Sequence, residues 1–421
     1  MKVVIRSATI ISPVSPYHGK SLDILVENGL IAAVGKQLSD QDATVVEEEN
    51  LHVSPGWADC FADFGDPGYE YRETVESGAL AAAAGGFTQV MVVPDTLPRI
   101  SNKTQVEYLT GKNTAAAAEI LPIGSVTRNG EGKELSEMYD MYASGAVAFS
   151  DGWRPVQSSG IMQKVLEYLL AINATVIQLP DDTTIGPSGL MNEGIVSTRL
   201  GLPGKPALAE ELMIARDIEL ARYTGSRIHF SGVSGAKSLA LIAAAKKDQL
   251  HVSCSVSPYH LYFCEEDLAT YDTNLKVNPP LRGKADRAAL REGILNGTVD
   301  CIASHHRPQN WDSKVCEFEY ARNGMETLEC VFGAALASGI PPETFVRMQT
   351  ENVRRIFGIE VPEIALGKKA QLTFFNPSKE YIFEERDIYS KSKNNAFTGK
   401  KLPGRVLGTL RESKLFLTKT K

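Results

Sequence analysis

Short apolar runs predict β-strands at both ends of the chain, with a repeat of strands and helices between them. Near the start, residues 2–11 and 22–35 have strand-like patterns bounded by turn residues. Strands of this kind return near the end, in 370–375, 404–410 and 414–417. The simplest arrangement pairs the two sets, so that residues 1–54 and 360–421 form one small β-sandwich domain.

Between residues 55 and 359, strand-length apolar runs alternate with segments of helical periodicity. Clear helical segments are 73–84, 207–224 and 325–337, and glycines follow the first two. An alternation of this length favours an α/β fold of the (β/α)8 TIM-barrel type over a doubly wound sheet. The eight predicted strands are 56–62, 88–93, 119–125, 146–150, 175–179, 226–231, 250–256 and 299–303.

Composition and charge limit the partners of this barrel. The chain has 421 residues, of which 43% are hydrophobic, and a formal net charge of −7. Its lysines and arginines form no basic run, and no apolar run reaches membrane-spanning length. We therefore expect no nucleic-acid partner and no membrane partner. No signal-peptide core follows Met1, so the expected location is cytoplasmic.

The stretch 55–68 marks the change from the terminal domain to the barrel and carries candidate chemistry. Because alternate residues of a strand share one face, Asp59, Phe61 and Asp63 are predicted to point together into the barrel. Catalytic groups of such barrels lie at the C-terminal ends of the strands. By the same alternation, Cys60 is predicted to point away from the interior.

Several longer motifs place this chain beside a known family. They are 67–78 (PGYEYRETVESG), 191–194 (MNEG), 274–282 (NLKVNPPLR) and 390–397 (SKSKNNAF). In these motifs, and over nearly its whole length, the chain resembles the dihydroorotases of the cyclic-amidohydrolase superfamily. The resemblance implies a TIM barrel of the amidohydrolase type, with zinc held by histidines and carboxylates. In such a site zinc activates a water molecule and an aspartate transfers the proton.

The resemblance also implies a metal site that this chain does not preserve. The ligand and proton-transfer positions correspond here to Phe61, Asp63, Asp151, Gln178, Gly232 and His305. Only Asp151 matches, at the position of a metal-bridging carboxylate, and His305 replaces the proton-transferring aspartate. A catalytic zinc needs about three protein ligands. We therefore expect no zinc and no other cofactor.

The substrate-binding positions of the family are also altered. Gly65 stands where a carboxylate-binding arginine is expected, and Asp95 stands where an asparagine is expected. Asn278 is retained from the substrate loop. His305 and His306 are neighbours, so they are predicted to face opposite ways, and His229 is predicted to be a hydrogen-bonded core residue.

These departures favour a dihydroorotase-like protein of pyrimidine biosynthesis that is catalytically inactive. By resemblance to inactive family members, it would act as a scaffold for aspartate carbamoyltransferase, and we expect a homo-oligomer.

Two alternatives stay open. One is a hydrolase of a cyclic amide whose metal or acid–base site is rebuilt from Asp63, Asp151, His305 and His306. The other is a dihydroorotase that still interconverts dihydroorotate and carbamoyl aspartate through an unexpected geometry.

Overall fold

The computed structural model describes residues 1–39 and 41–419 and confirms the predicted barrel. Eight parallel strands pair in chain order in one sheet. The sheet closes where Ala62, at the end of the first strand, bridges to His306. The amide of Asp63 also donates to the His306 carbonyl at 2.8 Å. The barrel strands are Trp57–Ala62, Phe87–Val92, Glu119–Gly124, Ala148–Phe149, Val176–Gln178, Ile228–Phe230, Val252–Val256 and Cys301–Ile302.

Helices follow most barrel strands and cover the outside of the sheet. The predicted helix 325–337 begins only at Val331, after a 3₁₀ turn over Leu328–Cys330. Its first residues pair with the end of the eighth strand instead, since Met325 bridges to His306. No helix of the described residues has the length and apolar character needed to cross a membrane. The α-helices are Val75–Ala84, Lys103–Gly111, Met138–Ala143, Ser159–Leu170, Ile195–Leu200, Leu208–Thr224, Ala236–Lys247, Pro258–Tyr262, Lys284–Leu295, Val331–Ala337, Pro342–Arg347 and Val353–Phe357.

Strands from both ends of the chain form a second eight-stranded sheet with its own apolar core. His52–Pro55, the last strand before the barrel, pairs antiparallel with Gln371–Asn376, so the two ends meet at this point. The other strands of this sheet are Lys2–Ile10, Ser21–Glu27, Leu30–Gly35, Thr44–Val46, Arg405–Arg411 and Lys414–Leu417. Two further strand pairs are Met191–Asn192 with Gly204–Lys205 and Tyr381–Ile382 with Lys401–Leu402.

A bulge in the first barrel strand decides which side chains enter the barrel. Asp59 pairs with Val90 and Ala62 with Val92, so three steps on one strand face two on its neighbour. The extra residue breaks the alternation of the strand. As a result, both Cys60 and Phe61 belong to the core inside the barrel. The prediction that Cys60 points away from the interior is wrong, because strand alternation does not hold across the bulge.

The segment 389–395 holds the loops around the barrel mouth. The Ser390 hydroxyl donates to Glu73, and the Ser392 hydroxyl donates to the Arg72 carbonyl at 2.7 Å. The Asn395 amide donates to Glu326 at 2.7 Å. These contacts connect the motif 390–397 with the first and eighth loops and fix the backbone that carries Arg72.

Trp57 anchors the barrel to the terminal sheet. Its ring lies 4.9 Å from Phe345 and 5.0 Å from Phe332, on helices of the barrel. The same ring lies 5.4 Å from Phe375 of the terminal sheet. Its indole N–H donates to the Ser54 hydroxyl at 2.9 Å. One fully buried side chain therefore packs the helices of the barrel against a strand of the terminal sheet.

Replacing Trp57 with alanine is expected to lower the free energy of unfolding by about 3–5 kcal/mol, the usual cost of an aromatic-to-alanine change in a core. Trp311 offers a matched control because its side chain is 72% exposed. Trp311→Ala should change stability by less than about 0.5 kcal/mol. Chemical denaturation of both variants measures the two changes in the free energy of unfolding. Equal losses would contradict a joining role for Trp57.

Candidate functional site at the barrel mouth

Phe61 occupies the centre of the predicted site. Its side chain is fully buried at the C-terminal end of the first barrel strand. Its ring stacks on the imidazole of His305, with centroids 4.9 Å apart, and meets the Trp153 ring edge-on at 5.1 Å. An aromatic ring offers no lone pair to a metal ion. The position predicted from the resemblance as a first ligand therefore belongs to an aromatic cluster.

His305 lies in the space next to Gly232, and this contact joins two of the predicted positions. A Cβ added at Gly232 would be 2.2 Å from Cε1 of His305. The Nε2 atom of His305 shares a hydrogen bond of 2.9 Å with the Ser231 hydroxyl. Burial lowers the pKa of His305 to about 3. The imidazole is therefore neutral at physiological pH and packs where a side chain at position 232 would otherwise lie.

Asp151, the retained carboxylate, accepts hydrogen bonds from a neighbouring loop. Its Oδ1 accepts from the amides of Val126 and Thr127 at 3.1 and 3.0 Å. Its Oδ2 accepts from the Thr127 hydroxyl. Burial raises the pKa of Asp151, opposed by the hydrogen bonds from Thr127 and the nearby Arg99. This carboxylate therefore organises the loop after the third strand.

Gln178 lies at the end of the fifth strand, and its side chain forms hydrogen bonds with residues of the helices outside the barrel and their loops. Its side-chain amide donates to Asp217 at 3.1 Å and to the Val156 carbonyl at 3.2 Å. Its Oε1 accepts from the Val156 amide at 3.3 Å. Because these contacts use both ends of the side-chain amide, Gln178 is a structural link.

Asp63 is the predicted site residue that lines the open part of the mouth, a cavity of about 470 Å³. Its Oδ1 accepts from the Gly65 amide at 2.9 Å, and its Oδ2 lies 3.7 Å from Arg72. Burial, reinforced by the negative charge of Asp95, raises the pKa of Asp63 even though Arg72 opposes it. Arg72 also lies beside Gly65, since its Nη2 would be 3.2 Å from a Cβ there.

The remaining predicted positions lie apart from this cluster. Asn278 donates to Asp181 at 3.3 Å. His306 points away from His305, towards Glu73 at 3.4 Å and Glu326 at 3.8 Å. His229 shares hydrogen bonds with the hydroxyls of two serines in the core, Ser253 and Ser255. The residues that the structure brings together are thus Phe61, Gly232 and His305.

Two residues of the mouth were not predicted from the sequence. Trp153 packs on both Phe61 and His305, and the guanidinium of Arg307 lies 4.4 Å above the Trp153 ring. The sequence does mark Arg307 as unusual, because it lies between His306 and Pro308, where the eighth strand departs from the pattern of the family. Trp153 follows the retained Asp151 by two residues, and nothing in its spacing indicates a contact with Phe61.

The fold is a closed (β/α)8 barrel beside a sheet built from both ends of the chain, and comparisons with known proteins place it in the class of cyclic amidohydrolases. A family model described as Dihydro-orotase-like matches residues 52–238. The dihydroorotase of Pelotomaculum thermopropionicum is 38% identical, with 97% of each chain covered. That of Aquifex aeolicus is 36% identical, with 99% of each chain covered. The chain belongs to the dihydroorotase family.

Solved structures support the same fold at lower sequence identity. The L-hydantoinase (dihydropyrimidinase) of Arthrobacter aurescens superposes with a TM-score of 0.86 at 21% identity. The alignment covers 100% of this chain and 96% of that one. A D-hydantoinase aligns with a TM-score of 0.83 at 19% identity.

The residues at the mouth do not fit the zinc centre that the family implies. Zinc requires nitrogen, sulfur or oxygen donors with free lone pairs. Phe61 and Gly232 supply none, and the hydrogen-bonding atoms of Asp151 and Gln178 contact other parts of the chain. His305 packs between Phe61 and Ser231. Asp63 and Nδ1 of His305 remain as donors, which is fewer than the three or so protein ligands that a catalytic zinc needs, so the set is unsuited to zinc at this position.

Elsewhere in the described residues, two buried groups contain three potential metal ligands each. They are Cys60, His229 and Cys301 inside the barrel, and His306, Glu326 and Glu329 behind its first loop. Neither group contains a position that corresponds to a ligand of the family, but the second contains His306, one of the four residues of the rebuilt-site alternative. The expectation that the protein carries no cofactor stays a prediction that metal analysis tests.

Gly232→Ala is expected to be strongly destabilising because the new Cβ meets His305. Gly225 is the matched control, because its φ of +72° resembles the +76° of Gly232 and no atom lies within 4 Å of its added Cβ. The loss at 232 should exceed that at 225 by about 1–3 kcal/mol, the cost of overpacking. The His305→Ala substitution should remove this excess loss of stability, and chemical denaturation in a double-mutant cycle measures it. An excess that persists in the His305→Ala background would contradict the packing described here.

His305 should make the protein less stable in mild acid. Its pKa falls from 6.5 to about 3 on folding, so below pH 6.5 the unfolded chain binds a proton that the folded chain does not. Stability is therefore lost as the pH falls, by up to about 1.4 kcal/mol per pH unit. Denaturation of His305→Asn should show a smaller loss between pH 6.5 and 5. The same substitution at the exposed His251 is the control. Parallel pH profiles for His305→Asn and the unmodified protein would contradict this role.

Proposed function

We propose that this chain is a non-catalytic dihydroorotase homologue that serves pyrimidine biosynthesis as a scaffold for aspartate carbamoyltransferase. The observation that carries the proposal is the packing of Phe61 and His305. Side chains of the protein occupy the positions of a metal ligand and a proton-transfer group. The chemistry of the family is therefore replaced by aromatic packing, while its fold is retained.

The protonation state of His305 supports the loss of catalysis. A general base works best when its pKa lies near the operating pH. The pKa of His305, about 3, makes it a weak base at neutral pH. Without a metal ion to lower its pKa, water is a poor nucleophile near pH 7. The aromatic cluster supplies neither function.

The alternative of a rebuilt hydrolase site has less support. Its four residues lie in different environments: Asp63 lines the cavity, Asp151 binds the loop backbone, His305 is stacked on Phe61, and His306 faces buried carboxylates. A shared metal or an acid–base pair needs side chains that converge on one reacting atom.

A scaffold role needs a surface for its partner, and one groove at the edge of the mouth has suitable chemistry. It has a volume of about 640 Å³, and Tyr71, Trp311 and Val315 are the apolar members of an otherwise polar lining. These side chains are 51%, 72% and 58% exposed. Exposed aromatic and apolar groups that share one patch are typical of protein-binding surfaces. We propose this groove as part of the contact with aspartate carbamoyltransferase.

The purified protein is expected to contain far less than one zinc per chain and to show no turnover of dihydroorotate or carbamoyl aspartate. Elemental analysis and a turnover assay, with an active dihydroorotase as positive control, make the measurement. Co-expressed aspartate carbamoyltransferase should co-purify with the unmodified chain and less with Trp311→Ala. The assembly should be a homo-oligomer of this chain together with the partner, which light scattering measures.

Three outcomes would contradict the proposal. Stoichiometric zinc with turnover would restore an active dihydroorotase. Turnover that disappears in Asp151→Ala would favour the rebuilt hydrolase. Failure of the two proteins to co-purify would remove the scaffold role. Trp311→Ala separates a lost contact from a lost fold, since this exposed side chain is not part of the core.

A further inference from the structure

The mouth above the aromatic cluster is strongly cationic, although the whole chain carries a net charge of −7. Two cavities of about 470 and 370 Å³ adjoin there, and Arg72, Arg307 and Arg322 line both of them. Arg99, Arg154 and Lys276 line one or the other. Asp63 and Asp95 are the acidic lining residues. Six cationic side chains therefore face two carboxylates.

Both carboxylates already have partners. Asp95 pairs with Arg99 at 3.1 Å and accepts from the Trp153 amide at 3.1 Å. Asp63 lies 3.7 Å from Arg72 and accepts from the Gly65 amide. If both ion pairs are counted as neutral, four cationic side chains remain: Arg154, Lys276, Arg307 and Arg322.

Several donors in this wall have no acceptor. Among the described residues, the side chains of Arg154, Arg307 and Arg322 make no hydrogen bond or ion pair. The buried Nε atoms of Arg72 and Arg307 and the buried Nε1 of Trp153 also lack a hydrogen-bond partner. Arg72 is only 7% exposed. Buried polar groups normally find partners, and leaving them unpaired is costly. Of the buried unpaired atoms on the lining residues, three are donors and one, Oε1 of Gln309, is an acceptor, so most of the missing partners are acceptors.

We propose that this cavity binds a small phosphorylated anion, such as a phosphate monoester or a pyrophosphate. Guanidinium groups match phosphate oxygens in a planar, bidentate arrangement, and a phosphate carries more charge than one carboxylate. The carboxylate-binding residues expected of the family are absent at Gly65 and Asp95. The aromatic cluster of Phe61, Trp153 and His305 closes the floor, so the ligand is held without being consumed. This site is independent of the proposed scaffold role.

The test is a calorimetric titration of the full-length protein with inorganic phosphate, pyrophosphate and carbamoyl aspartate. Trp153 fluorescence provides a second readout, because its ring contacts Arg307 and lines the cavity. We expect the phosphates to bind more tightly than carbamoyl aspartate, and to bind less tightly as salt is added. Arg307→Gln should weaken phosphate binding about tenfold or more, the effect of losing one charge-assisted hydrogen-bonding group.

Arg322→Gln guards against a folding defect, because this side chain is exposed and its loss leaves the core intact. It should also weaken binding. Arg355→Gln is the matched control, since Arg355 is exposed and lies on the helix Val353–Phe357, outside the cavity. Absence of phosphate binding would overturn the proposal, as would equal affinities in all three variants. Preferential binding of carbamoyl aspartate would also overturn it and would instead indicate a remnant of the family's substrate site.

Discussion

His305 fits into the barrel only because residue 232 has no side chain. The 2.2 Å that would separate a Cβ at this position from the imidazole makes the two groups mutually exclusive. Once His305 lies there, its ring supports Phe61 from one side, and Trp153 closes the cluster from the other. Trp153 in turn carries the guanidinium of Arg307. A chain of contacts therefore leads from the missing Cβ of Gly232, just after the sixth strand, to the charged side chains of the mouth.

The same contacts explain how the mouth of this barrel is stabilised although most of its side chains there are poor metal ligands. Removing an ion from a set of buried donors leaves unpaired charges and lone pairs, which is strongly destabilising. Here the donors have changed together. Phe61 is apolar, His305 is neutral, and Asp151 and Gln178 form hydrogen bonds to neighbouring loops. Aromatic packing and hydrogen bonds therefore occupy most of these positions at the mouth, and the two groups of three potential ligands in the described residues lie elsewhere.

Much of the fold could be predicted from sequence, because strand and helix periodicities survive in single segments. The barrel, the pairing of the two termini and the separation of His305 from His306 follow from such local patterns. Cys60 shows where this reasoning fails. The bulge depends on how the first strand pairs with Val90 and Val92 of the second. The sequence of residues 59–62 alone does not indicate it. The predicted start of the helix that ends at Ala337 is wrong for a related reason. Met325 pairs its backbone with His306 in the barrel instead of entering the helix.

The site was harder to predict than the fold because its new contacts are long-range. Family motifs identify which ligands are missing, but not what replaces them. Arg72 shows the difference: the motif 67–78 includes it, yet its place beside Gly65 depends on the segment 389–395. In the part of the chain that the structure describes, the hydrogen bonds of that segment reach Glu73, Glu326 and the Arg72 carbonyl rather than the former ligand positions. The framework of the mouth therefore depends on contacts between its loops, and it reaches the altered positions through Arg72, which pairs with Asp63.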